Sequence, residues 1–154
     1  MADSMLIFAP SLNAYRRLLP GTHAAVSANW GYENRTVSVR IPDSPHTARR
    51  IEHRVSGADA NPYLVIAAVL AAALNGIERQ MTPPPASSGD GYQQENMGTP
   101  LPTHWAAAIE TMASSELMAT LLGEEFVRVF CAMKRQENLK FAQQVSQAEY
   151  ETYL

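Results

Sequence analysis

Residues 48–65 read ARRIEHRVSGADANPYLV and place a predicted strand directly before a predicted helix. Over Arg50–Val55, charged residues alternate with apolar residues and a histidine. This period of two is typical of a β-strand. One face of this strand carries Ile51, His53 and Val55, and the other carries Arg50, Glu52 and Arg54. Asn61 and Pro62 then predict a helix start, because asparagine caps free amides and proline fits the first helical position.

Further strands are predicted upstream of this stretch. Thr36–Ile41 alternates clearly, and 24–30 does so weakly. We therefore expect a strand-rich region over 20–56. The helix at 61–79 is apolar on every side through Leu74, so we expect it to be buried.

The remainder of the chain divides into a loop and a helical region. Residues 80–102 contain five of the ten prolines and predict a long loop. Helical patterns follow over 103–154. The whole chain, 1–154, is interpreted as a single α+β unit with a mostly antiparallel sheet and packed helices.

Composition narrows the class of protein. The chain has 154 residues, is 46% hydrophobic and carries a net charge of −3, so it has material for a core and favours no nucleic-acid partner. The single cysteine, Cys131, excludes an internal disulfide framework. The longest apolar run, 63–74, is shorter than the roughly 20 residues that span a bilayer. We expect no membrane association and a cytoplasmic location.

Arginine is concentrated in one segment. Residues 16–54 contain seven arginines, no lysine and three acids, which makes the segment about +4 within an acidic chain. The arginines are Arg16, Arg17, Arg35, Arg40, Arg49, Arg50 and Arg54. Because a guanidinium binds carboxylate or phosphate through two parallel hydrogen bonds, this choice of residue predicts a site for a polyanion.

Glu52 lies between Arg50 and Arg54 on the same face of the predicted strand. Alternate residues on a strand are about 6.5–7 Å apart, so the positive neighbours favour an ionised carboxylate. Such a carboxylate can bind a hard divalent cation beside an anionic substrate, an arrangement suited to phosphoryl transfer. Alternating arginine and glutamate is also typical of a solvated face with cross-strand ion pairs.

Four motifs, in order, resemble those of the glutamine synthetase family. Residues 13–21, NAYRRLLPG, resemble NSYKRLVPG, and 34–36 with 39–42 resemble NRS and RIP. Residues 48–54, ARRIEHR, resemble ARRIEVR. Residues 60–64, ANPYL, precede an alanine-rich helix and Gly76-Ile77, as in that family. The resemblance implies the C-terminal part of the family's catalytic domain and an ATP-dependent ligase that forms γ-glutamyl amides through a γ-glutamyl phosphate.

The resemblance also implies roles for individual residues. Arg17 and Arg54 match arginines that hold the glutamate substrate. Arg35, Arg40 and Arg50 match arginines around the ATP phosphates, and Arg35 is also a candidate catalytic residue. Glu52 matches a ligand of Mg²⁺ or Mn²⁺.

His23 departs from the family pattern. The family has a glutamate at this position, on a loop that helps to deprotonate ammonium. Residues 29–36, NWGYENRT, resemble the branch that joins glutamate to polyamines and other amines. The resemblance therefore implies ammonia or an organic amine as the second substrate, with His23 as a candidate catalytic residue. A plain loop histidine at this position is the alternative.

The family's other metal ligands and its N-terminal domain lie upstream of the region that this sequence resembles. We therefore expect a fragment that is inactive as an isolated chain and that belongs to a homo-oligomer. The alternative is a non-catalytic anion-binding or assembly module derived from the same fold.

Overall fold

A computed structural model of the chain describes residues 1–19, 21–22, 24–96 and 98–153. The α-helices are α1 (Met5–Phe8), α2 (Pro62–Glu78), α3 (Trp105–Ala113), α4 (Glu116–Leu122), α5 (Glu124–Ala142) and α6 (Gln147–Tyr153). The strands are β1 (Ser27–Ala28), β2 (Trp30–Tyr32), β3 (Val39–Ile41), β4 (Glu52–His53) and β5 (Thr99–Pro100). Short 3₁₀ turns lie at Ala2–Ser4, Leu12–Arg17, His46–Ala48 and Gln94–Asn96.

The strands form two small sheets. In the first, β1 pairs with β5 in antiparallel orientation. In the second, β3 lies between β2, which is parallel to it, and β4, which is antiparallel. Two of these three pairings are antiparallel, and helices pack beside them, so the predicted α+β class is confirmed.

The strands are shorter than the alternation predicts, and local hydrogen bonds explain one case. Strand β3 was expected to begin at Thr36 but begins at Val39. The Asn34 side-chain oxygen accepts hydrogen bonds from the Thr36 amide at 2.9 Å and the Thr36 hydroxyl at 2.6 Å. This side-chain turn competes with the strand ladder for the same backbone groups.

The core forms around the N-terminal segment, where α1 packs against α3 and α2, and α3 packs against α5. Residues Met5–Ala9 are all buried, with at most 3% exposure. Trp105, Ile109 and Met112 face them from α3 at helical spacing, and each is at most 1% exposed. Cys131 is buried here too, as its apolar neighbours predict.

Helix α2 is not the buried helix that its composition predicts. Asn61 caps its N-terminus by accepting from the Tyr63 and Leu64 amides, as expected. Among its described residues, however, only Ala68 is buried. Ile66, Leu70 and Leu74 are more than half exposed. The helix is apolar all round, but the described elements cover only the side that faces α1 and α4.

The described residues within 80–102, a range from which 97 is left out, form a strap along β2 that includes β5. The Trp30 indole N–H donates to the Pro84 carbonyl at 2.7 Å, and the Ser87 amide donates to the Trp30 carbonyl at 2.8 Å. A Cβ at Gly31 would lie 2.7 Å from the Ser87 carbonyl oxygen, so only glycine permits this approach. The strap therefore depends on a glycine in the strand that it covers.

The region after 103 is helical, as predicted. Helix α3 begins at Trp105 rather than at the expected Thr103. Within the described part of the chain, none of the helices combines the length and apolar character needed to cross a membrane.

Candidate functional site

Arg40 and Glu52 are directly opposite each other on β3 and β4, at the centre of a charged cluster. Arg40 Nη1 donates to Glu52 Oε2 at 2.8 Å, and Arg54 Nη1 donates to Glu52 Oε1 at 2.6 Å. Arg40 Nη2 donates to Glu33 Oε2 at 2.7 Å. We call Glu33, Arg40, Glu52 and Arg54 the arginine–glutamate cluster. The cross-strand ion pairs expected of an Arg/Glu face are therefore present, at the positions singled out for function.

The electrostatics of this cluster keep its carboxylates ionised. Partial burial raises the pKa of Glu52, but hydrogen bonds from Arg54 and Arg40 outweigh it, so the net shift is downward. Hydrogen bonds from the Arg40 side chain and the Asp43 amide also lower the pKa of Glu33. The side chains of Arg40 and Arg54 are only 18% and 15% exposed, so water screens them little. The carboxylates of Glu52 and Glu33 are therefore the main counter-charges of this cluster.

Arg17 lies next to this cluster rather than in it. Its Nη2 donates to the Val55 carbonyl at 2.8 Å, one residue beyond Arg54. The Gly57 amide donates to the Phe8 carbonyl at 2.9 Å, which fixes the same loop against the buried N-terminal segment. Arg17, one of the two arginines expected to hold glutamate, is thus anchored to the backbone of the residue that follows the other, Arg54.

The other predicted phosphate arginines are more exposed. Arg35 lines a cavity of about 540 Å³ between Tyr32 and the strap residues 86–89. Arg50 is exposed, and its Nη1 lies 3.5 Å from the Ala48 carbonyl. Tyr32 also borders a second cavity of about 500 Å³, which Arg49 lines. The structure brings Arg40 and Arg54 together, whereas Arg35 and Arg50 lie outside the cluster. His23 lies outside the described residues.

The described residues bring only part of the predicted metal site together. Glu52 is a suitable ligand type for Mg²⁺ or Mn²⁺, yet both of its oxygens are held by arginines. Among the described residues, no group of three or more histidine, cysteine, aspartate and glutamate side chains is placed to hold a metal ion. Any metal bound by Glu52 therefore needs ligands beyond those that the described residues bring together.

His53 points away from the charged cluster and into the core. Its ring lies 4.2 Å from the Phe8 ring, centroid to centroid. Neither ring nitrogen has a hydrogen-bond partner among the residues that the structure describes. Burial lowers the pKa of His53 from 6.5 to about 4. The predicted alternation is confirmed for Glu52 and His53, whereas Ile51 is 58% exposed.

The shift of His53 predicts acid sensitivity of the fold. Because its folded pKa lies below its unfolded pKa, the neutral ring stabilises the fold fully above about pH 6.5. This contribution is expected to decline as pH falls from about 6.5 to about 4. Phenylalanine cannot take up a proton. In the His53→Phe variant, the thermal-unfolding temperature should therefore change less with pH over that range than it does in the unchanged chain. The exposed control His46→Gln should leave the slope unchanged, and an unchanged slope in His53→Phe would contradict the assignment.

Sequence reasoning missed the role of Glu33, which lies in the stretch 29–36 but was not singled out there. Its backbone is left-handed, with φ of 47°, and its amide donates to the Ile41 carbonyl at 3.1 Å. Its second carboxylate oxygen accepts from the Asp43 amide. Turn positions carry no periodic signal, so the alternation of the strands could not reveal it.

Comparison with known proteins places this geometry in a family. The family model described as the catalytic domain of glutamine synthetase matches residues 1–153. Gamma-glutamylputrescine synthetase of Escherichia coli (strain K12) is 39% identical over 154 residues, 100% of this chain and 32% of the relative. Glutamate–isopropylamine ligase of Pseudomonas sp is 37% identical over 129 residues, 83% of this chain and 28% of the relative.

Solved structures agree with the family match. The structure of GmaS without ligand has a TM-score of 0.83 and 32% identity, covering 99% of this chain and 35% of that one. The GmaS/ADP complex has a TM-score of 0.82 and 31% identity, with 99% and 36% covered. The chain thus spans about a third of the length of these relatives. Because the family model covers 1–153 and the fold and sequence identity agree with it, the chain belongs to the glutamine synthetase family, within its catalytic domain.

Proposed function

We propose that this chain forms part of the active site of an ATP-dependent ligase that joins the γ-carboxylate of glutamate to ammonia or an amine. The arginine–glutamate cluster carries the proposal. Its two guanidinium groups lie at a strand junction, held by carboxylates and mostly shielded from water. Guanidinium groups fixed in this way can bind carboxylate and phosphate groups through N–H donors that the ion pairs leave unused.

We assign Arg17 and Arg54 to the glutamate substrate and Arg35, Arg40 and Arg50 to the ATP phosphates. ATP supplies the phosphoryl group that activates the γ-carboxylate. Arg40 fits an anion contact because its Nε is buried and lacks a hydrogen-bond partner among the described residues. Glu52 orients Arg40 and Arg54, and it is our candidate for one oxygen ligand of Mg²⁺ or Mn²⁺ in a site completed elsewhere.

We favour an organic amine over ammonia as the second substrate. The named relatives include a gamma-glutamylputrescine synthetase and a glutamate–isopropylamine ligase. Relatives named glutamine synthetase also match, including that of Mycolicibacterium smegmatis at 38% identity. His23 stands where the family resemblance places an acid that serves ammonium, and this departure supports an organic amine as the second substrate.

A hybrid enzyme tests the proposal. Replacing the aligned segment of the E. coli gamma-glutamylputrescine synthetase by this chain gives what we call the hybrid ligase. We expect it to form γ-glutamylputrescine and release phosphate when supplied with glutamate, putrescine, ATP and Mg²⁺. A soluble, folded hybrid ligase that releases no phosphate with putrescine, other amines or ammonia would contradict the proposal.

The isolated chain is expected to be inactive in the same assay. It presents one candidate metal carboxylate, Glu52, and both oxygens of that carboxylate are held by arginines. Phosphate release by the purified chain, lost in Glu52→Ala, would show that the segment is sufficient by itself. Titration of the isolated chain with MgATP separates binding from catalysis.

We also propose that the chain functions within a larger assembly, with a homo-oligomer as the expected form. The exposed apolar side of α2, which carries Ile66, Leu70 and Leu74, supports this view because large exposed apolar patches mark contact surfaces. Sedimentation of the chain and of the hybrid ligase measures the assembly state directly.

A further inference from the structure

We infer that Glu33 is a positioning residue that fixes the Arg40 guanidinium for contact with the nucleotide phosphates. This inference rests on the proposed function and assigns to Glu33 a role that the resemblance to the family does not imply. It begins from the way Arg40 is held. Nη1 is fixed by Glu52 at 2.8 Å and Nη2 by Glu33 at 2.7 Å, from opposite ends of the fork.

The carboxylate of Glu33 is itself fixed in place. One oxygen accepts from the Asp43 amide and the other from Arg40. The Glu33 amide donates to the Ile41 carbonyl at 3.1 Å, next to Arg40 in the chain. Glu33 therefore ties its own turn to Arg40 and to the residues that follow it, Ile41 and Asp43.

Backbone conformation supports a role for this side chain. Glu33 has φ of 47°, a region that glycine occupies readily and that glutamate disfavours. A glycine would adopt this backbone conformation with less strain, so we infer that contacts of the glutamate side chain offset the strain. The use visible in the structure is the pair of hydrogen bonds to Arg40 and Asp43.

Glu33 can position the Arg40 guanidinium without occupying all of the N–H groups that a phosphate would need. A guanidinium has five N–H donors, and the two ion pairs use one hydrogen on each Nη. One hydrogen on each Nη stays available for an anion while both carboxylates remain bound. A pre-oriented donor loses less conformational freedom on binding, so removal of Glu33 should weaken nucleotide binding.

Two variants of the hybrid ligase test this role. Glu33→Gly relieves the backbone and removes both contacts, whereas Glu33→Gln keeps an oxygen for the Asp43 amide and loses the ion pair. Both should raise the KM for ATP roughly five- to tenfold and lower kcat less than about threefold. Gln80→Gly is the matched control, because Gln80 also has a positive φ, of 49°, and lies outside the cluster. It should leave the KM unchanged.

The isolated chain provides an independent readout. Side-chain NMR of Arg40 should show restricted guanidinium rotation in the native chain and faster rotation in both Glu33 variants. Unchanged Arg40 signals, or a KM for ATP that stays constant or falls in an active hybrid ligase, would overturn the inference. A hybrid ligase with Glu33 unchanged that is folded but inactive would contradict the proposed function and leave this inference open to the NMR test alone. The NMR comparison would then decide whether Glu33 orients Arg40.

Discussion

Glu52→Gln is expected to lower the kcat of the hybrid ligase at least about a hundredfold, a loss of roughly 2.7 kcal/mol of transition-state stabilisation. Glu52 accepts from Arg40 on one oxygen and from Arg54 on the other. A glutamine keeps the size but offers one oxygen, and its amide group places donors against a guanidinium. Both arginines would then lose their shared counter-charge, and Arg40 would be held by Glu33 without Glu52. Initial rates of γ-glutamylputrescine formation measure this effect.

The control for this prediction is a glutamate outside the site. Glu125 pairs with Arg128 at 2.6 Å on the surface of α5, with side chains 75% and 68% exposed. Glu125→Gln should leave kcat within about twofold, because exposed ion pairs contribute little. Circular dichroism confirms that both variants are folded. A Glu52→Gln enzyme that retains a third or more of the activity would remove Glu52 from the catalytic machinery.

Trp105→Ala is expected to lower the free energy of unfolding by about 3–5 kcal/mol, as a large core cavity does. Trp105 begins α3, is 1% exposed and lies 6.1 Å from the Phe141 ring. The loss approaches the whole stability of a small domain, so this variant should express poorly or unfold at very low urea concentration. Urea unfolding followed by circular dichroism measures it.

Two companion variants make the test specific. Trp105→Phe should cost less than about 1.5 kcal/mol, because it keeps most of the volume and removes an indole N–H that is buried without a partner among the described residues. Tyr63→Ala, at an aromatic that is 82% exposed, should change stability by less than about 0.5 kcal/mol. Equal losses at Trp105 and Tyr63 would show that the described core does not hold the fold together.

Alternation and capping signals located most elements. The helix start at Asn61 and the alternating faces of Glu52 and His53 were predicted and are present. The α+β class was correct because these signals are local, arising from side-chain spacing and backbone capping. Strand lengths were overestimated where side chains such as Asn34 bond to nearby backbone groups instead of the strand ladder.

Burial was the weaker part of the prediction. Tyr63 and Ile66 were expected in the core and are 82% and 57% exposed. Hydropathy indicates which residues favour burial, but whether another element covers them depends on the packed structure. The short run Met5–Ala9 showed no helical period, yet it is fully enclosed by elements far away in sequence.

The sequence by itself determined the chemistry of this protein: an arginine-rich segment, a glutamate among arginines, and the ordered motifs of one ligase family. These depend on residue type and spacing, which are written along the chain. Only the tertiary structure decided which charges meet. Arg40 and Glu52 are twelve residues apart and pair because β3 and β4 are antiparallel in one register. Glu33 pairs with Arg40 from a turn. Turns carry no periodic pattern, so only the folded structure shows which partner this side chain reaches.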